Sequence, residues 1–144
     1  MSEEEYPVKV KWVNNFQFIA KDDQNHSIVL DLPESSGGEN LGFTPTKLLL
    51  VAVAGCTAMD IVLLMRKSNQ DIKGLEVQVT GEQRLEEYPH YFKEITLKYI
   101  VKGKSIDEGA LKRAIKLSDE KYCSVGATIK GVSKIITSYE IKEI

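Results

Sequence analysis

The chain has 144 residues, 42% of them apolar and 28% charged, which is ordinary for a globular protein and excludes a collagen-like, mucin-like or wholly disordered chain. The net charge of -2, from 19 basic and 21 acidic residues, lacks the basic excess of a nucleic-acid binder. Two cysteines are too few for a secreted disulfide scaffold, and the start, Met1 to Glu5, is acidic where a signal peptide is basic, so the expected place is the cytoplasm with both thiols reduced.

In chain order, Val8, Val10 and Trp12 alternate with Lys9 and Lys11, the period of a strand. Asn14-Asn15 is a tight-turn signal, because Asn tolerates positive φ. Phe16 to Ala20 then reads as a second strand, Asp22 to Asn25 as a turn, and Ser27 to Leu32 as a third strand, which together make a meander. Pro33 to Gly42 is a loop by composition. Thr44-Pro45 predicts a helix start, Thr44 as N-cap and Pro45 at the first helical position, with the helix running to about Ser68. From Leu48 to Met65 this helix is apolar nearly all round, so it is expected to be central and covered on most sides. Asp60 cuts the apolar run too short for a membrane span, so no membrane partner is expected.

Leu75, Val77 and Val79 predict a fourth strand, and Ile95, Leu97, Tyr99 and Val101 a fifth. Ser105-Ile106-Asp107-Glu108 has capping-box spacing for a second helix ending near Tyr122. Lys134 to Ile144 reads as a last strand. The order βββ-α-ββ-α-β is that of an α+β domain, one domain over residues 1–144.

Cys56 sits inside the apolar helix and Cys123 just after the second helix. A structural role for both is one reading, since free Cys packs as a small hydrophobe. Metal chemistry is not expected: a zinc site needs about four ligands at characteristic spacing, and His26 and His90 stand alone. There is no Cys-x-x-Cys pair, no GxGxxG and no GxxxxGK[ST] phosphate loop, so no cofactor is implied.

The stretch Gly37 to Lys67, GGENLGFTPTKLLLVAVAGCTAMDIVLLMRK, resembles the cysteine helix of the OsmC/Ohr superfamily, the osmotically inducible and organic hydroperoxide resistance proteins. A Gly-Gly-Glu-Asn loop leads to Pro45, and Cys56 follows at the family interval. Cys-Thr-Ala-x-Asp, Cys56 to Asp60, is typical of a less characterised OsmC-like branch, and Cys123 matches the second family cysteine. The resemblance implies an α+β OsmC-like fold, its apolar helix packed on an antiparallel sheet, in an intertwined homodimer. It further implies a thiol peroxidase acting on organic hydroperoxides. Cys56 would form a sulfenic acid, Cys123 would resolve it to a disulfide, and a dithiol reductant, of lipoyl type or a small thiol, would reopen the bond. The peroxidase branches hold the thiolate with an Arg from the first hairpin, itself held by a Glu after the helix Pro. Here the hairpin carries Asn14-Asn15, Thr46 follows Pro45, and Lys47 stands where the branch often has Glu. Lys47, Lys9, Lys11 and Glu39 are therefore the candidates for tuning the thiolate. The alternative reading is an OsmC-like protein without peroxidase activity that binds an apolar or thiol-containing small molecule; a third is a purely structural dimer.

Overall fold

The alternation read from Val8 onward folds into a meander of three antiparallel strands, β1 (Val8–Asn14), β2 (Gln17–Asp22) and β3 (Ser27–Leu30), in that spatial order. The computed structural model describes Glu5 and residues 7–144; the acidic start, Met1 to Glu4, lies outside the described residues. The chain divides into two compact units, Met1–Leu49 and Leu50–Ile144.

In the first unit, the β1–β2 turn falls one residue later than expected. Asn14 still pairs with Gln17, after a register slip that follows Trp12, and Asn15 takes the left-handed conformation at φ 51°. Trp12 Nε1 donates to Asn15 O at 2.8 Å and Asn15 Nδ2 to Gly37 O at 2.9 Å, which fixes that turn. The third strand stops at Leu30, not Leu32, because Asp31 leaves the ladder to organise the next loop. Its side chain, 1% exposed, accepts from the backbone N–H groups of Leu32 (2.7 Å), Glu39 (3.3 Å) and Leu41 (3.1 Å). The paired glycines follow from the same loop. Gly37 sits at φ 89°, and a Cβ on Gly38 would lie 2.0 Å from Leu32 O.

Helix α1 (Pro45–Lys67) begins where Thr44-Pro45 predicts: Thr44 Oγ1 accepts from Lys47 N at 3.4 Å, and Leu48 N donates to Thr44 O at 3.0 Å. In the second unit it is followed by β4 (Asp71–Gln83), β5 (Phe92–Lys104), α2 (Glu108–Leu117), α3 (Ser124–Ile129) and β6 (Lys134–Glu143). Strands β4 and β5 pair antiparallel as expected, but β6 runs parallel to β5 from Glu94↔Lys134 to Gly103↔Glu143. The sheet is thus mixed, and the expectation of a wholly antiparallel sheet is corrected. The long helical crossover through α2 and α3 carries the chain back to the starting end of β5, which a parallel neighbour requires.

The core of this unit forms where α1 offers Val53, Ala54, Ile61 and Met65, β5 offers Ile95, Leu97, Tyr99 and Val101, and α2 offers Ala110, Leu111 and Ala114. Val53, Thr57, Ile61 and Met65 recur every fourth residue, so α1 buries one stripe. Its other face is not covered: Met59 is 75% exposed, and Val51 and Leu63 are exposed as well. Covering on most sides is expected of α1, and a single chain leaves this face open.

The second helix is capped by Asp107, whose carboxylate accepts from Ala110 N at 3.0 Å. The capping box expected at Ser105 is displaced because Ser105 takes φ 50°, not the extended backbone a cap needs. The helical run does end at Tyr122. Its last five residues, Ser118–Tyr122, widen into a π-helical turn.

Candidate functional site

The two cysteines meet in the second unit, far apart as they are in sequence. Cys56 lies on α1 beside the buried stripe, half-buried, with Thr57 next to it and Asp60 one turn further on. Cys123 follows the π-helical turn and is 4% exposed. Both are free thiols, and Cys56 lies near enough to Cys123 to act on its thiol.

The backbone around Cys123 explains its position. Its N–H donates to Ser118 O at 2.8 Å, closing the π turn. It then caps α3, its Sγ accepting from Gly126 N at 3.2 Å and its carbonyl from Ala127 N at 3.0 Å. Burial pushes the Cys123 thiol up from the ordinary 9.0 to about 11. The neighbouring Cys56 side chain acts in the same direction, the Gly126 N–H against it, and Asp60 adds to the rise.

Ser118, Asp60, Tyr99 and Thr57 lie about the pair. Ser118, 1% exposed, donates its hydroxyl to Asp60 Oδ2 at 2.9 Å, joining α2's end to α1. Tyr99 of β5 is 1% exposed and its phenol is pushed up to about 12, chiefly by burial, against a hydrogen bond with Thr57. Thr57 itself donates to the carbonyls of Val53 (3.2 Å) and Ala54 (3.1 Å), so its hydroxyl is satisfied inside the helix. Asp60 reads in the sequence only as an interruption of an apolar run, and Ser118 and Tyr99 as members of regular elements. The signal that singles Asp60 out is its spacing: four residues past Cys56, it shares that face of the helix.

The thiolate-tuning candidates all belong to the first unit. Lys9 and Lys11 are exposed on β1, where Lys9 stands opposite Lys21 and Lys11 opposite Ile19, beside a surface hollow of about 440 Å³. Lys47 is exposed in the first turn of α1. Glu39 is exposed, its Oε2 accepting from Gln17 Nε2 at 3.0 Å. His90 stacks on Tyr88, ring centroids 4.0 Å apart, and His26 pairs with Asp22 at 2.7 Å, so each has a local partner. Among the described residues no group of three or more His, Cys, Asp or Glu is placed to hold a metal ion.

Two close thiols, one buried and held protonated, one half-buried, are suited to disulfide chemistry, in which one sulfur reacts and the other closes on it. The family model for OsmC-like proteins matches residues 37–138. Protein YhfA of Escherichia coli K12 is 37% identical over 133 residues, 92% of this chain and 96% of its own. A crystal structure of an Aquifex aeolicus VF5 protein superposes with a TM-score of 0.86 at 31% identity, over 99% of both chains. The organic hydroperoxide resistance protein OsmC of Legionella pneumophila shares the fold, with a TM-score of 0.73 at 14% identity over 97% of this chain and 99% of its own.

Proposed function

The chain belongs to the OsmC-like protein family, and from that premise we propose that it is a cytoplasmic, cysteine-based thiol peroxidase that reduces organic hydroperoxides in defence against oxidative stress. The observation that carries this reading is the meeting of Cys56 and Cys123 as free thiols. In the proposed cycle the Cys56 thiolate attacks the outer oxygen of ROOH. The S–O bond forms as the O–O bond breaks, and the departing alkoxide takes a proton, leaving an alcohol and a Cys56 sulfenic acid. The Cys123 sulfur then attacks that sulfur. Cys123 arrives protonated at neutral pH, and its proton leaves with the sulfenic hydroxyl as water while the disulfide closes. An external dithiol, of lipoyl type or a small thiol, reopens the disulfide by exchange and is itself oxidised.

A thiolate at Cys56 calls for a positive charge in place of the family Arg. Lys9, Lys11 and Lys47 are the proposed sources, with Glu39 as their acidic counterpart. The protein acts as a homodimer, each chain working as one domain; the exposed apolar face of α1 supports the dimer. The test is stopped-flow mixing of the reduced protein with cumene hydroperoxide. Wild type is expected to consume one equivalent and lose both thiols, Cys56→Ser to consume none, and Cys123→Ser to halt at a sulfenic acid that over-oxidises.

One observation favours the second reading, a family member that binds an apolar or thiol-containing small molecule without reducing peroxides. The charged side chains that act on Cys123 and Tyr99 include Asp60 and Asp119, and such charges oppose a thiolate. Reduced protein that leaves cumene hydroperoxide intact would select that reading.

A further inference from the structure

We propose that Asp60 and Ser118 are positioning residues that brace Cys123 within disulfide reach of Cys56. The proposal rests on the two-cysteine reading above for its purpose, and its geometry stands without any peroxide.

Ser118 makes two bonds at once. Its hydroxyl donates to Asp60 Oδ2 at 2.9 Å, and its carbonyl accepts the Cys123 N–H at 2.8 Å. A single buried residue thus links the backbone of Cys123 to α1, and it does so at Asp60, one turn past Cys56 on the same face. The segment between the two bonds is Ser118–Tyr122, a π-helical turn. Such turns are rare, and they are frequent at functional sites. Here the turn advances the chain so that Cys123 leaves the helix where it meets Cys56. Without the Asp60 bond, Ser118 would be a buried hydroxyl with no hold on α1, and the turn could relax toward an ordinary helix end. An Asp within the apolar run of α1 is costly on hydrophobic grounds alone, and this brace gives it a use.

The experiment reads disulfide closure with diamide. Diamide takes two electrons and two protons from the thiol pair and becomes a hydrazine, so peroxide plays no part. Asp60→Ala and Ser118→Ala are expected to close the Cys56–Cys123 disulfide about tenfold more slowly than wild type. In glutathione redox buffers their disulfide should be about tenfold easier to reduce, a shift of about 30 mV. Asp60→Asn keeps an acceptor for the Ser118 hydroxyl and should restore both. If Asp60→Ala does not fold, Ser118→Ala, which deletes one atom, decides alone. Wild-type rates and potentials in the Ala variants overturn the brace, as does an Asn variant no better than Ala. Wild type that closes its disulfide with diamide but ignores cumene hydroperoxide overturns the peroxidase reading and leaves the brace standing.

Discussion

At Cys123 burial and a neighbouring thiol work together, and the consequence is measurable in the stability of the whole chain. The folded state holds the Cys123 proton up to a pH of about 11, whereas an unfolded chain releases it near 9.0. A raised folded value means that the contribution is fully present below pH 9.0 and is lost as pH rises through about 11. The loss is at most about 2–3 kcal/mol, from roughly 1.4 kcal/mol for each pH unit of displacement. Tyr99 adds a decline of the same sign between pH 10.0 and about 12. The expected result is a urea midpoint that falls from pH 9 upward in wild type. In Cys123→Ser the fall begins only near pH 10, where Tyr99 takes over. In Cys56→Ala the neighbouring side chain no longer raises the Cys123 thiol, so the loss shrinks without vanishing, since burial is the larger cause. Identical midpoints for wild type and Cys123→Ser from pH 8 to 11 would contradict this account.

Among the elements, the start of α2 separates a motif from its physical use. Asp107 does the capping, so Asp107→Ala should cost about 1 kcal/mol in urea unfolding. Ser105→Ala, whose side chain caps nothing, should change stability by less than about 0.5 kcal/mol. The reverse ranking would restore the capping box at Ser105. The spacing S-x-x-E was present, but it does not report φ, and Ser105 is held at 50° with its N–H donating to the Glu143 carboxylate at 3.0 Å. The same limit divides what the sequence makes legible from what it hides. Period-two alternation marks β4 and β5, and Thr44-Pro45 marks the start of α1, because each is a local steric or solvation pattern. Alternation carries no direction, so the parallel sense of β6 stayed hidden. Helix α3 spans six residues, too few for a periodic signal. The loop closure by Asp31 and the Asp60–Ser118 bond depend on residues brought together by the fold, which composition and spacing do not encode. The cysteine pair was legible only through the resemblance to a family, since nothing local to Cys56 points to Cys123.

For the molecule as a whole the informative feature is apolar surface left bare. In the first unit Val8, Val10 and Trp12 share one side of β1, with Trp12 67% exposed; in the second, Met59 and Leu63 stand out from α1. A monomer rarely leaves so many large apolar side chains uncovered, and a second copy of the chain is the covering we propose. We predict that light scattering finds a particle of two 16.2 kDa chains at micromolar concentration, with an interface burying more than about 2,000 Å² in total. Met59 tests which face is involved. A twofold interface counts each residue twice, and burying one Met side chain is worth about 1.5–3 kcal/mol. Met59→Glu should therefore weaken the dimer by at least a hundredfold. It should also lower the melting temperature at micromolar concentration and flatten its rise with protein concentration, since association adds to the stability of the folded chain by mass action. A wild-type particle of a single chain overturns the dimer. A Met59→Glu protein that stays dimeric with unchanged affinity moves the interface away from α1, leaving β1 and Trp12 as the surface to substitute next.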